Sequence, residues 1–167
     1  KVFHNAQYDI GWLSVLGIEV KGRIHDTMVA MALIDENRYS YTLNSISFDY
    51  LGEFKSEAKL KEAAASFGVD AKAEMYKLPA TFVGEYAEED ARLTLKLYEK
   101  LAWEIKKDNL DTIYDIECRL IKVIFNMTKK GVRFDQDKVL DLNDKFRKKE
   151  KKLLKRIKDL TNQDVEI

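Results

Sequence analysis

From Pro79 to about Lys107 the chain repeats apolar residues at helical spacing, and this stretch constrains the fold most. Turned by about 100° per residue, Tyr86, Asp90, Leu93, Leu97 and Leu101 fall on one stripe. A stripe of that kind belongs against a core, yet it holds a carboxylate. A buried carboxylate is costly unless it is paired, hydrogen-bonded or bound to a cation. Arg92 and Lys96 lie on another face, and the local sequence supplies little other basic partner. Two readings follow. Either a metal ion sits against Asp90, or Asp90 lies at the edge of the stripe and is solvated. Tyr86 precedes Asp90 by one turn on the same face, so its hydroxyl reaches the groups near Asp90.

The rest of the chain frames that helix. Val2-Phe3 predicts a short strand, Asn5-Ala6-Gln7 a turn, and Tyr8 to Leu16 a helix ended by Gly17. Asp9 opens that helix, where an anion gains from the helix dipole; Asn5 reads as a turn former. Ile18 to Asp26 reads as extended, its strand ending at His25-Asp26, with Asp26 or Thr27 capping a helix to Ile34. Thr42 and Ser56 are expected to cap two more short helices, and Asp70 to Lys77 reads as a helical turn. A second long helix carries Leu110, Ile113, Tyr114, Leu120, Ile121, Ile124 and Phe125. Val132-Arg133-Phe134 alternates like a strand, and Asp135 then caps a last helix. The apolar seam of that helix is Val139, Leu142, Phe146, Leu153, Ile157 and Leu160. This order predicts an α/β part followed by a mainly α part, with a soft boundary near Lys106 to Asp108.

Composition narrows the function classes. The chain has 167 residues, enough for one domain or one domain and part of a second. No apolar run nears the roughly 20 residues of a membrane span. The single Cys118 excludes an internal disulfide and suits a reducing cytoplasm. With only His4 and His25 beside it, zinc is not expected, and both histidines read as structural. The formal net charge is zero, but residues 1–105 hold 12 Lys and Arg against 17 Asp and Glu, and the remainder reverses this. Nine basic residues and one acid lie between Lys145 and Lys158. That pattern suits metal chemistry in the acidic part and polyanion contact, or simply a solvated helix face, in the basic part. The chain begins Lys1-Val2-Phe3-His4, which reads as the middle of a fold, so a fragment is expected.

Two short motifs give the pattern a family. Asn5-Ala6-Gln7-Tyr8-Asp9 resembles the second motif of DEDD-type 3′–5′ exonucleases. Tyr86-Ala87-Glu88-Glu89-Asp90 resembles the third motif of their tyrosine subclass. His25-Asp26-Thr27-Met28 resembles the segment that follows the second motif in proofreading domains. Thr42 to Ile46 and Tyr50-Leu51-Gly52 resemble the next helix of phage-type polymerases. Lys130 to Asp135 is similar to the turn that joins the proofreading and polymerase regions of family A DNA polymerases. Nearly the whole chain thus resembles a piece of a bacteriophage-like family A DNA polymerase.

The resemblance implies a ribonuclease H-like exonuclease fold lacking its first strands over residues 1–107. Residues 108–167 would then begin the polymerase region with a thumb-like basic helix. It implies two divalent cations, Mg²⁺ or Mn²⁺, about 4 Å apart on four carboxylates. Asp90 would bind the water-activating ion and Asp9 the second. Tyr86 would orient the attacking water, Asn5 would support the geometry or touch the substrate strand, and Tyr8 would touch that strand. The Asp-x-Glu motif that supplies the other two carboxylates has no counterpart here, so the isolated chain is expected to be inactive. The expected partners are a single-stranded 3′ end of DNA, the rest of the polymerase chain, and duplex DNA along Lys148, Lys149, Lys151, Lys152, Lys155 and Arg156. A membrane is not expected, and the host cytoplasm is the implied location. Two other readings stay open: a stand-alone DEDD exonuclease acting on RNA, and a non-catalytic nucleic-acid-binding or partner-binding module.

Overall fold

The structure is a computed structural model that describes residues 1–164. Strand β1 (Val2–Phe3) leads into helix α1 (Ala6–Val15), and strand β2 (His25–Asp26) leads directly into α2 (Thr27–Ile34). Helices α3 (Leu43–Leu51) and α4 (Ala58–Phe67), a short 3-10 turn at Met75–Lys77, α5 (Ala80–Lys107), α6 (Asp111–Lys130) and α7 (Gln136–Thr161) follow. The two strands pair in parallel, with Val2 opposite His25 and Phe3 opposite Asp26. The described residues are therefore mostly helical, with one small parallel sheet. Packing divides it into two compact units, Lys1–Lys129 and Lys130–Ile167.

The first unit is built on α5. Leu93, Leu97 and Leu101 are fully buried, as the stripe requires, and pack with Ala30 and Met31 of α2, Leu43 and Ile46 of α3, and Tyr114 and Cys118 of α6. Ala6 and Ile10 of α1 form a second cluster with Ile24 and Ile121. Leu60 and Ala64 of α4 form a third with Leu78. Side-chain caps set several boundaries. Thr42 Oγ1 accepts from Ser45 N at 3.4 Å, and Asp135 Oδ1 accepts from Lys138 N at 3.0 Å. Pro79 occupies the N-cap position of α5, where its missing N–H costs nothing.

Four expectations need correction. Of the extended stretch from Ile18, only His25–Asp26 forms a strand, because β1 offers just two residues to pair with. Val132–Phe134 forms no strand, since an isolated strand without a ladder is not stable. Helix α1 starts at Ala6 rather than Tyr8: Asn5 takes a left-handed conformation at φ 68°, which asparagine tolerates, and turns the chain into the helix. Ser56 caps α4 only by a local bond, its Oγ accepting from Ala58 N at 3.3 Å, while Glu57 holds the N-cap position.

The second unit consists of α7 and the turn before it. Its seam side chains are exposed, among them Val139, Phe146, Leu153 and Leu160, and no residue of α7 is buried.

Candidate active site

The parallel pairing of β1 and β2 places two helix N-termini side by side, and one carboxylate serves both. Asp26 is 2% exposed. Its Oδ2 accepts from Ala6 N at 2.7 Å, and its Oδ1 from Asn5 N at 3.2 Å, Met28 N at 2.8 Å and Val29 N at 3.4 Å. The cap on α2 was expected, whereas the cap on α1 was not. This double cap holds the first turn of α1, and Asp9 lies in that turn. Nearby, His4 bridges Thr27 Oγ1 at 2.9 Å and the Tyr41 carbonyl at 3.0 Å. Burial first, opposed by the Asp26 charge, holds its pKa below the usual histidine value. A neutral, doubly bonded imidazole fits the expected structural role.

Between α1, α2, α3 and α5 lies a cleft of about 800 Å³. Its walls include Asn5, Tyr8, Asp9, Tyr41, Lys55, Asp90 and Thr94. The structure thus brings Asn5, Tyr8, Asp9 and Asp90 to one place. Tyr8 is largely exposed and meets Trp12 edge-on at 6.3 Å. Burial raises the Asp9 carboxyl above its ordinary pKa, and the Asp26 and Asp90 charges add to this. The cleft is therefore a concentration of negative charge.

Lys55 answers that charge, and sequence reasoning missed it. The expectation that Asp90 lacks a basic partner is corrected: Lys55 Nζ lies 2.7 Å from Asp90 Oδ1, with only 13% of the lysine side chain and 34% of the aspartate side chain exposed. The partner comes from the strap after α3, far from α5 in sequence but folded across it. The same ammonium donates to the Tyr86 hydroxyl oxygen at 2.5 Å and lies 4.0 Å from the Tyr86 ring centroid. Burial opposes the Lys55 charge, but contact with Asp90 and Tyr86 outweighs it and leaves the lysine pKa above its usual value. The strap itself is braced. Lys55 N donates to Asn44 Oδ1 at 3.2 Å, and Glu53 bridges Arg92 at 2.6 Å and Lys96 at 2.9 Å, both on α5.

Asp9 and Asp90 suit a divalent cation in kind, as hard oxygen ligands on separate helices. Asp90 Oδ1 is buried and accepts no well-formed hydrogen bond; its contact with Lys55 is an ion pair. Among the described residues no third His, Cys, Asp or Glu joins the two in a metal-binding group. The pair therefore fits part of a coordination shell. The basic residues Lys148, Lys149, Lys151, Lys152, Lys155 and Arg156 are all exposed along α7. No described helix is long and apolar enough to cross a membrane.

The chain is similar to known proteins over most of its length. The family model described as 3′–5′ exonuclease matches residues 1–106, which include Asp9, Lys55, Tyr86 and Asp90. A DNA-directed DNA polymerase of Pseudomonas phage M6 is 34% identical over 166 residues, covering 98% of this chain and 25% of the relative. The DNA polymerase DpoZ of Salmonella phage PMBT28 is 31% identical over 142 residues, covering 81% and 23% respectively. DNA polymerase I of Chloroflexus aurantiacus is 29% identical over 164 residues, covering 94% and 16%. The chain thus spans a quarter or less of the length of these relatives. With the family match covering all of the cleft, the chain belongs to the 3′–5′ exonuclease family of the A-type DNA polymerases.

Proposed function

We propose that this chain is part of a proofreading 3′–5′ exonuclease within a DNA polymerase. The convergence of Asp9 and Asp90 on one cleft, beside Tyr86, carries this reading. Residues 1–107 would form the exonuclease part, in a ribonuclease H-like fold, and residues 108–167 the start of the polymerase region with α7 as a thumb-like helix. The enzyme would act in the host cytoplasm.

Exonucleases of this family are in general dependent on divalent metals. Bound cations would neutralise the scissile phosphate and acidify the attacking water. This chain's contribution is two carboxylates to hold them, Asp9 and Asp90. Because Lys55 already donates to the Tyr86 oxygen, the phenol directs its own O–H along its other in-plane direction. Tyr86 then orients water by hydrogen bonding. Asn5 and Tyr8, at the cleft wall, contact the substrate strand. Water adds to phosphorus, the bond to the 3′ oxygen breaks, that oxygen takes up a proton, and a nucleoside 5′-monophosphate leaves. With two carboxylates and no third in the described cleft, the chain alone hydrolyses nothing. The exposed lysines of α7 contact duplex phosphates without reading sequence.

The test is digestion of 5′-labelled single-stranded DNA with Mg²⁺ or Mn²⁺ by the polymerase carrying this segment, and by the 167-residue chain. Shortening from the 3′ end by the polymerase should vanish in Asp90→Ala and fall about 100-fold in Tyr86→Phe, with primer extension intact. Wild-type shortening by Asp90→Ala refutes the site. Digestion by the chain alone refutes its inactivity.

A further inference from the structure

Lys55 is the one lysine or arginine among the described residues lining the cleft. It faces Asp90 directly, and Asp9 lines the same cleft. Without a cation, carboxylates gathered in this way repel one another, and a buried one is costly. The ammonium is placed to relieve this. Its backbone is pinned by Asn44 and its strap by Arg92 and Lys96. Only the four-carbon side chain is left to move. A lysine, unlike an arginine, is a compact point charge on a flexible stem. Its ammonium meets Asp90 Oδ1 as an ion pair at 2.7 Å. A doubly charged ion competes well for an oxygen held in that way.

We propose that Lys55 is a displaceable counter-ion: it holds Asp90 and Tyr86 in place while no divalent cation is bound, and it withdraws from Asp90 when one binds. This rests on the reading of Asp9 and Asp90 as metal ligands. The competition is direct, because the ammonium lies 2.7 Å from Asp90 Oδ1 and both residues line the cleft. The hydrogen bond to Tyr86 is a second anchor, so the lysine leaves Asp90 without leaving the site.

The experiment is a Mn²⁺ titration of the polymerase carrying this segment, with free ion followed by electron paramagnetic resonance. Lys55→Met keeps the apolar stem over the Tyr86 ring and removes the charge. It should bind one Mn²⁺ about tenfold more tightly than wild type, the scale of removing one partly buried competing charge. Lys55→Arg should not show the gain, and the gain should disappear when Asp90→Asn is added. Thermal melting by circular dichroism checks that each variant folds, and Lys55→Gln replaces Lys55→Met if the latter does not. Equal or weaker Mn²⁺ binding by the neutral variants overturns the counter-ion role while leaving the metal site standing. Binding that is unchanged in the Asp9→Asn, Asp90→Asn double variant, or absent throughout, overturns the metal-site reading and the inference together.

Discussion

Replacing Asp26 with alanine removes one side chain and uncaps two helices at once. The carboxylate is 2% exposed, and Ala6 beside it is fully buried, so water does not readily take its place. The two shortest bonds, to Ala6 N at 2.7 Å and Met28 N at 2.8 Å, are charge-assisted and each contribute about 1.5–2 kcal/mol. The longer bonds to Asn5 N and Val29 N add less. Asp26→Ala should therefore cost about 3–5 kcal/mol, consistent with the loss of two helix caps and a buried N–H left unpaired. With a urea slope of about 2 kcal/mol per molar, the unfolding midpoint should fall by about 2 M. Asp26→Asn should lose roughly half as much, since one amide oxygen can keep the bonds to α2 while the amide nitrogen faces Ala6 N. Both are measured by circular dichroism in urea. A loss below about 1 kcal/mol for the alanine variant would refute the double cap and the claim that it holds the first turn of α1.

Two further outcomes follow from the same structure. His4 and His25 both have pKa values held below 6.5 by burial, so the folded chain resists protons that the unfolded chain accepts. As pH falls through about 6.5, the unfolded state binds more protons and stability drops. Urea midpoints measured from roughly pH 7.5 to 5.5 should show this slope, and His4→Asn with His25→Asn should flatten it. Neutralising Lys148, Lys149, Lys151 and Lys152 should weaken duplex DNA binding and make log K less steep in log salt by about 0.9 for each phosphate that the helix no longer neutralises. Mobility shifts at several salt concentrations measure this, and an unchanged slope would remove α7 from the DNA interface.

Features set by near neighbours in the chain were legible before any fold was known. The caps by Asp26 on α2, by Thr42 and by Asp135 span two or three residues, so residue type and position suffice. The buried stripe of Leu93, Leu97 and Leu101 follows from helical periodicity. The pentapeptides holding Asp9 and Asp90 identified the family over the same residues that its model matches. Strand lengths were less legible, because a strand exists only where a partner pairs with it. Ile18 onward and Val132–Phe134 have the residues for extended structure but, among the described residues, no ladder beyond His25–Asp26.

The sequence alone determined the helices, the charge asymmetry and the two carboxylates to watch, since these depend on composition and on spacing within a few turns. Only the tertiary structure decided what those carboxylates face. That Asp26 caps α1 as well as α2 depends on the parallel register of two short strands. That Lys55 neutralises Asp90 depends on a strap crossing α5, braced by Glu53, Arg92 and Lys96. Coulomb energy depends on distance through space, and no pattern within α5 states which distant lysine the fold delivers to it.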